Sequence, residues 1–322
     1  MSVPSPSPSP SPSPSPAAAA ASAPQPDAAP AKVQPPWQRI LFSYCESLIA
    51  VIALVLFVLI ALAAIFAPLI TPQDPYDLAQ ISILDNRLAP GEQSFGGQTY
   101  VLGTDNQGRD MLSAIIYGLR ISLAVGATST VIALAIGLAL GLLAAYRGGW
   151  VETGIMRLVD LQLSFPAILI ALILLGILGR GVDKVMIALV AVQWAYYART
   201  VRGTALAERQ KEYIQAAACL GLSQARIIFG HLMPNCLPPL IVVATVQVAN
   251  AIALEATLSF LGVGVPVTEP SLGMLIANGY EFIFSGDYWI SIYPGVALLF
   301  TIIVINLVGD RLRDVLNPRL QR

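Results

Sequence analysis

Charge is what this sequence has least of. Asp, Glu, Lys and Arg make up 11% of 322 residues, against roughly 25% in an average soluble domain. Hydrophobic residues reach 56% and the mean hydropathy is +0.71. That balance excludes a water-soluble globular protein. Histidine occurs once and cysteine three times, which excludes a zinc finger and a disulfide framework. Lys and Arg number 18 and Asp and Glu 19. A net charge of −1 excludes a nucleic-acid reader that relies on bulk positive charge. No lysine follows a glycine: Lys32, Lys184 and Lys211 follow Ala31, Asp183 and Gln210. A phosphate-binding Gly-Lys-Ser/Thr loop is therefore missing, and any ATP used must be hydrolysed by another chain. One His among scattered acids also gives no catalytic cluster for a membrane enzyme.

What the sequence does have is long apolar runs. A helix needs about 20 apolar residues to cross a bilayer core. Such runs cover 48–70, 121–146, 161–178, 185–205, 237–265 and 289–309. They predict an all-α integral membrane protein with six transmembrane helices. The fourth run carries Arg199 and Arg202, and the fifth carries Glu255. With the N-terminus inside, the outer segments hold only Arg87, Arg109, Arg120, Arg180 and Lys184; every other Lys and Arg falls on an inner segment. This bias predicts that both termini are cytoplasmic. Cys45, Cys219 and Cys236 then lie on the inner, reducing side. A secondary transporter would favour several intramembrane charges and internal repeats. Here one clear acid stands in an apolar run, and no repeat is evident.

Residues 4–16 alternate Pro and Ser, and an Ala/Pro stretch follows to Pro36. Residues 1–36 therefore read as a disordered, polyproline-like cytoplasmic tail, a dispensable linker and not a secretory signal. Residues 37–322 form the membrane domain. Its longest inner loop between spans, 206–236, has mixed charge. Glu208 to Leu220 favours helix. Gly221 can end that helix in the left-handed conformation, Ser223 can cap a second one, and Pro234 ends it. The loop is thus predicted to be helix, tight turn, helix. Helix–turn–helix DNA binding does not suit a segment tethered between two spans without basic excess. An amphipathic helix resting on lipid headgroups would fit the same pattern.

The loop resembles the EAA loop of permease subunits in ATP-binding-cassette importers. The resemblance rests on Gln215, Ala216, Ala217, Gly221, Ile228, Leu232 and Pro234, with Gln215 standing where the family has Glu. Three further stretches resemble the dipeptide, oligopeptide and nickel subgroup, the C-type permease in particular. They are Leu102-Gly103-Thr104-Asp105 with Gly108-Arg109-Asp110, Glu255-Ala256-Thr257-Leu258-Ser259-Phe260-Leu261-Gly262, and Gly309-Asp310-Arg311-Leu312-Arg313-Asp314 with Asn317-Pro318. The resemblance implies a type I importer permease fold in the bacterial inner membrane. It implies a heterodimer with a second homologous permease. Two cytoplasmic ATPases would dock on the loop through the seven residues named, and a periplasmic or lipid-anchored binding protein would deliver substrate. ATP and Mg would be bound by the ATPases, and no cofactor by this chain. Peptides are the commonest cargo; nickel, glutathione and opine importers share the pattern.

Several residues have two readings. A charge at the bilayer centre costs at least ~2.5 kcal/mol, so Glu255 must face protein or water. It either packs by hydrogen bonds or lines the pathway. Asn250, Gln247 and Gln193 are interhelical polar contacts or pathway groups. Asp105, Arg109 and Asp110 form a local ion-pair and turn motif, or serve gating and contact with the binding protein. His231 stands alone and has no companion ligands for a metal. Gly137-x-x-x-Gly141 allows close helix approach.

Overall fold

A computed structural model describes residues 42–77, 79–94 and 96–316. The Pro/Ser tail lies outside the described residues, as do Asn317 and Pro318 of the C-terminal motif. Among the described residues the regular elements are helical; Gln93↔Thr99 and Thr104↔Asp110 are isolated bridges.

Helix α1, Leu48–Ile65, starts at Ser47, whose hydroxyl accepts from the Ala50 amide at 3.4 Å. Ala50, Ala53 and Ala64 are buried, while Ile52, Val55, Leu59 and Leu62 are exposed. A helix that is apolar all round belongs in a non-aqueous environment. A separate turn, Ala67–Ile70, completes the first predicted span.

Helix α2, Met111–Arg147, has 37 residues. At 1.5 Å per residue it is about 55 Å long, well beyond a hydrocarbon core of about 30 Å. It begins ten residues before the predicted 121, because Asp110 caps it: the carboxylate accepts from the Ser113 amide at 2.8 Å. Helix α3, Gly149–Leu163, and α4, Ala167–Leu178, replace the third predicted span. They are bent by 92° across Ser164-Phe165-Pro166. Pro166 has no N–H to donate and pushes Phe165 out of the helical region. Twelve residues of α4 reach only about 18 Å, so 161–178 is a broken element and not one straight span.

Helix α5, Val182–Arg209, lies along α2. An added Cβ on Gly137 would sit 2.4 Å from Tyr197 Cβ, and one on Gly141 2.6 Å from Val201 Cβ. The Gly-x-x-x-Gly pair is therefore where the two backbones approach. The charges in the fourth run are paired. Arg199 bonds Asp160, and Arg202 bonds Glu152, both acids lying on α3.

Helix α6, Glu212–Cys219, is followed by α7, Gln224–Phe260. The second loop helix does not end at Pro234, as the sequence predicts. It passes through a π turn, Ile228–Leu232, and continues as Met233–Phe260 through Pro234, Pro238 and Pro239. Pro234 occupies the first turn of that segment, where a missing N–H costs little, and the π turn takes up the change in register. Helices α8, Leu272–Tyr280, and α9, Trp289–Leu316, complete the chain. Val125, Leu189, Ala251 and Leu258 pack α2, α5 and α7 together towards one end, and Tyr197, Val201, Leu232 and Leu240 do so towards the other. Among the described residues α1, α2, α7 and α9 are each long and apolar enough to cross a membrane, with a fifth span if the bent α3–α4 pair counts as one; α5 is not in that set.

Candidate functional site

The inner loop is built from the turn outward. Gly221 has φ +72°, and nothing lies within 4 Å of a Cβ placed on it. The Leu222 amide donates to the Ala217 carbonyl at 3.2 Å, and the Gly221 amide to Ala218 at 3.0 Å. These bonds close α6 as expected for a left-handed terminator. Ser223 then caps α7, accepting from the Arg226 amide at 3.4 Å. Ile214, Ala217 and Ile227 are buried together against Leu222.

This packing corrects one expectation. Ala217 is 6% exposed and belongs to the loop's own interior. Gln215, Ala216, Ala218 and Cys219 are exposed, with Leu220 beside them. Residues 214 and 217 lie three apart on one face, so 215 and 216 lie on the other, with 218 at the flank. Of the remaining predicted docking residues, Gly221 and Pro234 are exposed and Ile228 is half-buried. Leu232 is buried in the core with Tyr197 and Cys236. The predicted set is thus split between a surface and its support.

A polar network ties the loop to the spans. Arg209 donates to the Ala145 and Tyr146 carbonyls at 3.0 and 3.3 Å, closing the C-terminus of α2. Glu208, 8% exposed, accepts from the Tyr213 hydroxyl at 3.1 Å and pairs with Lys211 at 2.5 Å. Asn235 donates from Nδ2 to the Tyr213 oxygen at 3.1 Å and to the His231 carbonyl at 2.6 Å. Burial, and then the Glu208 carboxylate, hold the Tyr213 hydroxyl above its ordinary pKa, so it remains a donor. Sequence reasoning passed over these three groups. They lie up to 27 residues apart, and only the folded loop brings them together.

The motif around Asp105, Arg109 and Asp110 is local and buried. Arg109 donates from Nε to Asp105 at 2.7 Å, and the Gln107 and Arg109 amides donate to the other carboxylate oxygen at 2.8 and 2.9 Å. Arg109 is 1% exposed. Asp110 accepts from the Ser113 hydroxyl at 2.5 Å, and its amide donates to Gln73 at 2.5 Å. Gly108, at φ +79°, leaves no room for a Cβ, which would lie 2.1 Å from the Ser82 carbonyl oxygen. Trp289 at the start of α9 donates to the Thr104 carbonyl at 3.2 Å. Asp105, Arg109 and Asp110 thus hold the segment before α2, while the buried Arg109 Nη2 has no hydrogen-bond partner among the described residues.

Glu255 and Asn250 part company. Glu255 is fully buried; its two oxygens accept from Ser122 at 2.9 Å and Ser259 at 2.8 Å, with Ser271 as a third hydroxyl partner. It links α2, α7 and the start of α8. Asn250 is exposed and donates to Gln247 Oε1 at 2.8 Å. Gln193 donates to the Gln247 carbonyl at 3.3 Å, and Thr130 to Gln193 at 3.3 Å. This polar row runs from α2 through α5 to α7. It opens into a groove of about 680 Å³ between α5, α7 and α9, lined by Tyr196, Arg199, Gln247, Asn250, Asp310 and Arg313 among others.

Residues 137–322 match the binding-protein-dependent transport system inner membrane components, and residues 35–90 match the N-terminal transmembrane domain of oligopeptide transport permease C. The dipeptide transport system permease protein DppC of Haemophilus influenzae is 36% identical over 89% of this chain and 96% of its own length. The di/tripeptide transport system permease DppC of Pseudomonas aeruginosa is 37% identical, with coverages of 91% and 94%. The Escherichia coli dipeptide permease DppC is 38% identical, with coverages of 85% and 90%. Among solved structures, the inward-facing MetNI methionine ABC transporter aligns with a TM-score of 0.53 at 22% identity. That alignment covers 64% of this chain and 98% of that one, a likeness of fold.

Proposed function

Because the chain belongs to the binding-protein-dependent transport system inner membrane components, we propose that it is the permease subunit of an ATP-binding-cassette importer of dipeptides and short oligopeptides. The curated relatives named for dipeptide transport match it along most of its length and theirs. In this reading α1, α2, the bent α3–α4 pair, α5, α7 and α9 are six spans, with both termini and the α6 loop on the cytoplasmic side of a bacterial inner membrane. The excess of Lys and Arg on those segments supports this orientation. The chain forms half of the pathway and pairs with a second, homologous permease. Two ATPases, which hold the ATP and Mg, dock on α6, and a binding protein meets the outer face. The chain itself carries no catalytic group.

One observation carries the docking assignment. Helix α6 presents small and neutral side chains, Gln215 and Ala216, on an exposed face whose reverse side is locked by Ile214 and Ala217. Such a face admits a close partner and carries a single charge of α6, the exposed Glu212 one turn before Ala216. On the same logic the groove at Asn250 is pathway wall, and Glu255 is a packing group. Tagged permease should bring down a second permease and two ATPases, and the reconstituted complex should take up dipeptide with ATP and binding protein. A preparation that transports peptide without any ATPase would overturn the assignment in favour of a secondary transporter.

A further inference from the structure

We propose that the Tyr213 hydroxyl is the joint through which α6 moves as one body with the end of α5 and the head of α7, an inference that rests on the docking of ATPases at α6. Two independent attachments meet there. Beneath α6, Ile214 and Ala217 pack on Leu222 and Ile227, which fixes the helix to the first turn of α7. Across from them, the Tyr213 oxygen donates to Glu208 at the end of α5 and accepts from Asn235 in α7. One hydroxyl thus bridges a carboxylate on one span and an amide on another. Hydrogen bonds to a charged acceptor are stronger than neutral ones, and Glu208 is sheltered enough for this one to count.

The positions of the two bridged groups give the joint its consequence. Asn235 also donates to the His231 carbonyl, inside the π turn Ile228–Leu232. Such turns are where a helix most readily changes register. On the far side a cavity of about 490 Å³, lined by Glu208, Lys211, Asn235, Pro238, Arg313 and Leu316 among others, parts the joint from the end of α9. A push on α6 is therefore transmitted directly to α5 and α7, and reaches α9 only through its packing on α7, where Ile305 meets Ala249 and Ile252 and Gly309 lies against Thr245. Helices α5 and α7 carry Tyr196, Gln247 and Asn250, which wall the groove opposite Asp310 of α9. Turning α5 and α7 about that contact with α9 changes the width of the groove. Tyr213, Glu208 and Asn235 are thus positioning residues that convert ATPase movement into movement of the pathway wall.

The test uses the complete transporter in proteoliposomes, with peptide uptake and ATP hydrolysis measured on the same preparation. Tyr213→Phe keeps the ring and removes the hydroxyl. It should retain its ATPases in a pull-down, yet uptake per ATP hydrolysed should fall by about threefold to tenfold, the order expected from one or two hydrogen bonds. Glu208→Gln preserves an acceptor for Tyr213 and should stay within about twofold of wild type by the same scale. Glu208→Ala should match Tyr213→Phe, and the double variant should be no worse than either, because both remove one linkage. Unchanged uptake per ATP in Tyr213→Phe, additive losses in the double variant, or loss of the ATPases from Tyr213→Phe would each overturn the joint. Absence of ATPases from the wild-type pull-down would instead overturn the docking assignment.

Discussion

An arginine at position 216 and one at 217 should both remove the ATPases, by different physical routes that one experiment can separate. Ala216 is exposed, so a long side chain there meets nothing in its own chain. The loop should be stable to within about 0.5 kcal/mol, as is usual for surface changes. At a docked interface the same side chain blocks close approach and loses water around its charge. A loss of about 2 kcal/mol, the threshold for an interface hot spot, weakens binding about 30-fold. Ala217 packs against Ile214, Leu222 and Ile227. An arginine there overfills a small cluster at a cost of about 1–3 kcal/mol, even with its charged end reaching for water. That is enough to open the turn. The assay is recovery of tagged ATPases at low and high salt, with limited proteolysis of the permease alone. Ala216→Arg should lose the ATPases with the loop still protected; Ala217→Arg should lose them with the loop cut. Gln215 is neutral and Glu212 is the one charged residue of α6, so wild-type recovery should depend only weakly on salt. Full recovery with Ala216→Arg would remove this face as the docking surface.

Gly221→Val has open space for its side chain but must hold φ +72°. The left-handed conformation costs about 1–2 kcal/mol, and more for a β-branched residue. Substrate-stimulated ATP hydrolysis should fall while membrane insertion persists, and normal stimulation would contradict the terminator role of this glycine. Arg109→Leu strands the Asp105 carboxylate in a buried site. Breaking such a pair costs about 3–5 kcal/mol, so thermal unfolding in detergent should shift down clearly; an unchanged midpoint would mean that the pair is solvated. Gly137→Leu drives a side chain into Tyr197, whose Cβ would be 2.4 Å away. The expected loss is about 1–3 kcal/mol, again read as a lowered unfolding temperature, and a silent variant would show that α2 and α5 do not pack in close contact at Gly137.

The apolar runs made most of the helices legible, and the errors have particular causes. Taking Arg120 as the boundary of a span starts α2 ten residues late, although Asp110 and Ser113 carry a helix-start pattern. The bend at Pro166 was signalled by the proline itself inside the third run. The pairing of Arg199 and Arg202 with Asp160 and Glu152 was not legible, because the partners lie 39 and 50 residues away and only the approach of α3 to α5 joins them. Glu255 and Asn250 are the instructive pair. Both read as polar groups in an apolar helix, with the same two roles open to each. They are five residues apart, so at 100° per residue they point about 140° from each other. Both cannot face the same groove. Ser259, four residues after Glu255, lies on the same side of the helix and offers the carboxylate a hydroxyl at 2.8 Å. Gln247, three residues before Asn250, does the equivalent on the other side at 2.8 Å. Spacing alone therefore separates the two residues onto different faces. What it cannot supply is which face meets α2, and that is decided by Ser122, 133 residues away, donating to the acid from the neighbouring helix.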